Sequence, residues 1–387
     1  MDQKSYKFFS HTNNVAGYTV ILEIGQYSTK IGFGGENDPR YTFLSMTGVP
    51  KYQNIEMGIS QKNIFVGNEL IDAMGLYKIS YPIENGQISD WTMYKAIVDY
   101  CFYLLSVDPT IINVLLLIHP LTYQNDIKNL FKLFIEDIQV MGFYPVVDVM
   151  LTMYSGGFTT GLVVDMGAGS TRIAPIYESY ALNHAFHVYN LGGTQLDKYL
   201  MSLLTEAGLR IDSSVQKEVV KVLKERACFC SLNYEEDMKH LKELTKKYNV
   251  PDGSSTELKS QRILVPELYF KPNLNNLELN SLPEVICDVV DQCDIDIRRD
   301  LLSKIFLVGG SSLFPQIDDR LQNEIELELS KRGKQLQDVK VIAPMERINS
   351  NWVGGSILSM IPEFQDRFVS RAQYYKEGVP SEFLELQ

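Results

Sequence analysis

Two stretches of this chain carry the same pattern, and that repeat restricts the fold more than any other feature. Residues 162–172 read LVVDMGAGSTR. An apolar run of Leu162, Val163 and Val164 ends in a carboxylate, Asp165. Gly167 and Gly169 follow at alternate positions, then Ser170 and Thr171. Residues 19–33 read TVILEIGQYSTKIGF, with the acid Glu23, Gly25 two residues on, then Ser28, Thr29 and the base Lys30. Glu23 and Asp165 lie 142 positions apart, and each stretch runs on into a second apolar segment. The apolar runs predict buried strands, so each stretch reads as a strand–turn–strand hairpin. A hairpin used twice at so wide an interval suggests two similar halves facing one ligand.

The turn chemistry narrows what that ligand is. Glycine tolerates positive φ and lets a ligand approach the backbone closely, so such a turn can aim amide N–H groups at an anion. Asp165, at the strand end beside those amides, is placed to hold a metal ion through water. The combination suggests a phosphate and Mg²⁺ site.

Composition excludes several alternatives. At 387 residues the chain is long enough for two or three domains, each with its own core. A net charge of -12 argues against a nucleic-acid surface. The opening residues, MDQKSYKFFSHTNNVAG, are polar and lack the apolar core of a signal peptide, and no apolar run approaches the roughly 18 residues of a membrane span. The five cysteines are too scattered for a disulfide framework, which predicts a reducing compartment. Cys228 and Cys230 flank Phe229 within a helical pattern and read as core. His184 and His187 have no Cys or acid cluster at ligand spacing, which argues against a metal centre there.

Along the chain, strands and helices alternate in a way that implies an α/β layer architecture. Residues 81–91, YPIENGQISDW, read as a turn entering a helix that Ser89 or Asp90 caps. A buried strand is expected over 113–119, and a helix over 125–139 with Ile127, Leu130, Phe131, Phe134 and Ile138 on one face. In the second half, helices are expected after Gly192 and Gly193, over 215–232 and over 283–302. A strand over 305–308 is closed by Gly309 and Gly310, Pro315 starts the next helix, a strand covers 339–343 and a last helix covers 352–361. Lys224 and Glu225, adjacent on the 215–232 helix, read on pattern alone as a solvated face. The irregular segment 50–66 carries Ile55, Met57 and Ile59, apolar residues that form either a small satellite core or a partner-binding tip.

These segments, in this order, resemble actin and the actin-related proteins from about residue 19 to residue 378. YPIENG, LTMYSGGFTTGLVVDMGAGSTR, PIYESYALNHA, CDIDIRRDL, VGGSSLFP and APMERINSNWVGGSIL carry the resemblance. The Hsp70 and sugar-kinase ATPases share paired hairpins, but the late motifs and the 50–66 loop look like actin. The resemblance implies an α/β actin-like ATPase fold, two RNase-H-like domains around a nucleotide cleft. Residues 1–153 with 349–387 would form the first domain, carrying a small subdomain at about 45–81, and 154–348 the second. ATP or ADP with Mg²⁺ would bind through Gly25, Gln26, Lys30, Gly167 and Gly169, with Lys224 and Glu225 at the nucleoside. Gly310, Ser312, Leu313 and Phe314 would cover the base and α-phosphate side. Glu23 and Asp165 would reach the metal through water.

Departures from the actin pattern bear on catalysis. Glu23 stands where actin has Asp, and Gln26 and Tyr27 replace a Ser and a Gly in the first phosphate turn. Asp148 falls where actin has the Gln that orients attacking water, Arg172 where it has a His, and Ala168 where it has a second Asp. Ile348 replaces a Lys beside the adenine. Lys30 and Asp165 are kept. Phosphoryl transfer relies on positioning and electrostatics, so the expectation is a chain that holds nucleotide and hydrolyses it slowly or not at all, with Asp148 and Arg172 as altered catalytic positions. The matching role is a structural subunit of an actin-based filament, cap or multisubunit complex. Its partners would be actin or other actin-related chains, with the 50–66 loop and Tyr154, Gly157, Ile357 and Phe364 as contact surfaces. It would lie in the cytoplasm or, in the alternative, in a nuclear chromatin-remodelling complex. An ATP-hydrolysing filament protein and a small-molecule kinase using Asp148 as base are the competing readings.

Overall fold

The computed structural model describes residues 18–51, 63–249, 255–334 and 338–384. Ile55, Met57 and Ile59 lie outside them. The chain divides into two compact units, Met1–Leu151 with Asn351–Gln387, and Thr152–Ser350.

The first unit is built on a six-stranded sheet. Strand Thr19–Ile24 pairs antiparallel with Ser28–Phe33, which pairs with Tyr41–Leu44. On its other side Thr19–Ile24 runs parallel to Asn113–Ile118, which runs parallel to Gly142–Val147, and Val369–Ser370 closes that edge. Every residue of Asn113–Ile118 is buried. A strand covered on both faces has to be apolar throughout rather than alternating, and NVLLLI is. The helix Trp91–Leu105 packs Ile97, Val98 and Cys101 into this core. Asp90, not Ser89, caps it, its Oδ1 accepting from the Met93 amide at 3.0 Å. Trp352, wholly buried, donates from its indole N–H to the Ile21 carbonyl at 3.2 Å and so ties the C-terminal segment to the central strand. A small three-stranded sheet, Thr47–Pro50 with Phe65–Val66 and Tyr77–Ser80, packs on Met46 and Leu70.

Just ahead of the capped helix, Ile83–Glu84 and Gln87–Ile88 form a minimal hairpin. Its two central residues, Asn85 (φ 49°) and Gly86 (φ 81°), are both left-handed. That is the turn Asn-Gly favours, because its twist matches the flanking strands.

The second unit repeats the plan. Gly161–Met166 pairs antiparallel with Thr171–Tyr177 and runs parallel to Ile305–Val308, which runs parallel to Val341–Ile342. Leu162, Val164, Ile173, Leu196, Ile286 and Leu321 belong to one continuous core. Beneath it Glu267 is wholly buried and paired with Arg320 at 3.2 Å. Burial pushes the Glu267 carboxyl up to about 7, although Arg320 pulls the other way.

Four helix boundaries differ from the expectation, each for a local reason. The helix expected over 283–302 breaks into Leu282–Gln292 and Arg298–Leu302. Cys293 turns extended, and Arg298 folds back onto the Cys293 and Asp291 carbonyls. The 215–232 helix stops at Ala227, where Cys228 turns extended, so Cys228 and Cys230 lie beyond it, both buried. Gln316 adopts a left-handed φ of 68°, so the helix after Pro315 begins only at Ile317. The helix over 125–139 changes pitch after Phe131, and the Ile138 amide reaches back five residues to Leu133.

Candidate functional site

In each unit the hairpin turn falls at the carboxyl ends of the parallel strands, where open α/β sheets expose backbone to ligands. In the first unit Glu23 is in register with Leu117, and Asp148 opens the helix directly after Gly142–Val147. In the second, Asp165 is in register with Val308, and Gly309 follows.

The two turns share one hydrogen bond. The Gly25 amide donates to the Ser28 carbonyl at 2.9 Å, and the Gly167 amide to the Ser170 carbonyl at 3.0 Å. They also share a cross-strand pair: Glu23 stands opposite Lys30, and Asp165 opposite Arg172. Opposed residues of an antiparallel pair project on one face, so each acid meets its base. Lys30 Nζ lies 2.9 Å from Glu23 Oε1. Arg172 Nη2 donates to Asp165 Oδ2, with both residues buried. Sequence reasoning missed this pairing. The signal was there, since Arg172 follows Lys30 by the same interval that separates Glu23 from Asp165.

Around that common frame the turns are finished differently. In the first, Gln26 Oε1 accepts from the Asn85 amide at 2.9 Å, and Tyr27 stacks on Tyr81 with ring centroids 6.3 Å apart. The Tyr27 carbonyl accepts from the Ser45 amide. Gln26 thus ties this turn to the Asn-Gly hairpin, and Tyr27 to Tyr81 just ahead of it.

In the second, the turn is backed by a helix. Its carbonyls are occupied in succession: Gly167 O accepts from the Gly193 amide (3.0 Å) and Ser311 Oγ (3.0 Å), Ala168 O from the Thr194 amide (2.8 Å), and Gly169 O from Gln195 Nε2 (3.1 Å). With the carbonyls drawn back, the N–H groups of Ala168, Gly169 and Ser170 have no acceptor among the described residues. Contiguous amides of this kind form an anion cradle. The positive end of the helix Gly193–Glu206 is aimed at its back. Gly192 makes the approach possible, because a Cβ there would stand 2.7 Å from Ala168 O, Gly169 C and Ser170 N.

Lys224 is buried and committed to this support. Its Nζ donates to the Gly193 carbonyl at 3.1 Å and pairs with Asp197 at 2.8 Å. Burial pushes the Asp197 carboxyl up, against the pull of Lys224. Glu225, next in sequence, is exposed. Of the four residues expected over the base, Gly310 and Leu313 are exposed. Ser312 is buried, its hydroxyl donating to Gly309 O at 2.7 Å, and Phe314 lies in the core. Arg347, absent from the expected set, fixes this turn by donating to the Ser312 carbonyl and hydroxyl. Of the apolar residues expected at a contact surface, Phe364 is buried against Tyr144 in the first unit, and Ile357 is exposed.

Mg²⁺ takes six oxygens at about 2.0–2.1 Å in near-octahedral array, several of them water. Asp165 commits Oδ2 to Arg172, and a Cβ on Gly309 (φ 88°) would stand only 2.5 Å from Oδ1. Glu23 commits Oε1 to Lys30, and its Oε2 is buried with no hydrogen-bond partner among the described residues. Among the described residues no group of three His, Cys, Asp or Glu is placed to hold a metal ion. At the second hairpin a cation would therefore meet an Asp165 carboxylate that already carries a charge partner on Oδ2. Nor is any helix among the described residues long and apolar enough to cross a membrane.

The profile of the family described as Actin matches residues 16–381, nearly the whole chain. With the mixed α/β sheets of both units it assigns the actin-like ATPase fold: this chain belongs to the actin family.

Proposed function

We propose that this chain is a divergent actin-related protein that binds ATP or ADP and serves as a structural subunit of an actin-based filament, filament cap or multisubunit complex. Actin-fold proteins generally bind these nucleotides with Mg²⁺. The observation that carries the reading here is the cradle of Ala168, Gly169 and Ser170 amides, held open because the Gly167, Ala168 and Gly169 carbonyls are occupied from behind. In the first unit, Lys30 is the basic residue that the same reading would assign to phosphate. Its Nζ lies beside Glu23, and the side chain is almost fully withdrawn from solvent.

Hydrolysis is slow or absent in this proposal. Arg172, at one altered catalytic position, is committed to Asp165. Asp148, at the other, is a half-buried acid where a neutral amide would orient water. Catalysis by positioning loses most when such groups are redirected. Partners would be actin or actin-related chains in the cytoplasmic cytoskeleton. Equilibrium binding of ATP and ADP to purified protein, with single-turnover hydrolysis, tests the reading. Micromolar or tighter binding with negligible turnover is expected. Undetectable binding of both nucleotides would sink it, and actin-like turnover with pelleting would favour an active filament protein. Affinity purification that recovers actin-related chains tests the assembly role.

A further inference from the structure

We propose that Arg172 takes the place of a divalent cation at Asp165, so that an anion on the 168–170 amides is held without a metal ion. The inference rests on the nucleotide-binding reading for its ligand, but its charge argument stands on the hairpin alone.

An acid beside a phosphate cradle is a liability unless a positive charge screens it. Metal ions supply that charge at many phosphate sites, where they are often the largest local charge. Here the charge is built into the opposite strand. Asp165 is 2% exposed and Arg172 8%, and the register places them directly across from each other. A planar guanidinium matches a carboxylate and stays charged at all working pH. For a cation to take Oδ2 of Asp165, Arg172 would have to give up its carboxylate inside the protein. Breaking a buried pair in that way is strongly unfavourable. On the other side of the carboxylate, Gly309 closes in so tightly that no side chain fits there, which further restricts a hydrated ion. The first hairpin carries the same arrangement independently, with Lys30 in the Arg172 role. Two acids, each matched to a base by strand register, make internal neutralisation a property of the repeated hairpin.

Two measurements decide this. In the first, ATP affinity is compared in millimolar Mg²⁺ and in EDTA at matched ionic strength. The expected change is below about threefold, and a loss of tenfold or more in EDTA overturns the proposal. In the second, the thermal midpoint of nucleotide-free protein is followed in rising Mg²⁺. Wild type should move by less than about 1 °C, whereas Arg172→Gln, which exposes Asp165 to the ion, should be stabilised by several degrees. Arg172→Lys keeps the charge and should behave as wild type. Mg²⁺ stabilisation of wild type equal to that of Arg172→Gln overturns the proposal. If Arg172→Gln does not fold, the wild-type and Arg172→Lys arms still decide. Absence of ATP binding in both buffers would instead count against the nucleotide reading, leaving the Mg²⁺ arm to judge the charge replacement.

Discussion

The hairpin of the first unit and that of the second have the same strand register, the same Gly-to-Ser turn bond and the same acid-to-base pairing. They differ in what surrounds the turn. The first is held from the side by its own Gln26 and Tyr27, whose side chains engage Asn85 and Tyr81. The second carries small residues at the corresponding places and is held from behind by helix amides, Gln195 and Ser311. Side-chain anchoring fills the turn. Backbone anchoring leaves its amides available. The difference teaches that two or three residues decide whether one frame is held by side chains or by backbone, with no change in the sheet.

The sharpest way to break this comparison is to remove each base. Arg172→Gln leaves Asp165 buried without its ion-pair partner and should cost about 3–5 kcal/mol. Lys30→Gln should cost less, about 1–3 kcal/mol, because the Glu23 side chain keeps 17% of its surface exposed. Urea unfolding of both variants checks the ranking, and equal costs would show that the hairpins are not differently buried. Next in size is the backing of the second turn. Gly192→Ala would press a methyl group into the turn at 2.7 Å and should destabilise by about 1–3 kcal/mol, with loss of anion affinity. Gly25→Ala, within the first turn itself, meets one atom, Ser28 O, at 3.0 Å and should cost about 1 kcal/mol or less. A Gly192→Ala protein that binds ATP normally would separate the cradle from its backing.

The smallest effect is a pH dependence that marks the second unit. Folded Glu267 keeps its proton up to about 7, above its ordinary value of 4.5. Protonation therefore favours the folded state. The contribution is full below the ordinary value and is lost as pH rises through about 7. Between pH 6 and 8 it should lower stability by about 1 kcal/mol. Denaturation across that range should show the slope in wild type and lose it in Glu267→Gln. A slope that survives the substitution assigns the titration elsewhere.

Much of the frame was legible in the sequence because it rests on local pattern. The apolar runs before Glu23 and Asp165 are strands, and the repeated acid–glycine–serine order marks both turns. Helix ends were less legible, since they turn on single residues: Gln316 takes a left-handed φ, and Cys293 turns extended where Arg298 folds back on its carbonyl. Lys224 read on pattern as solvated and is in fact buried, because its partners Gly193 and Asp197 lie on another helix. The acid–base pairs were missed for a simpler reason. An acid beside a glycine turn reads as a ligand for an external ion, whereas its partner is the base seven residues on, which only the strand register brings opposite.

The backing of the second turn has a spectroscopic consequence. Gly193 and Thr194 supply the first amides of a helix, which ordinarily exchange with solvent because no earlier turn accepts from them. Here their protons are sequestered by Gly167 and Ala168. Their exchange rates therefore belong to the loop rather than to the helix that carries them, and two resonances at a helix start become a direct gauge of whether the 167–170 turn is formed.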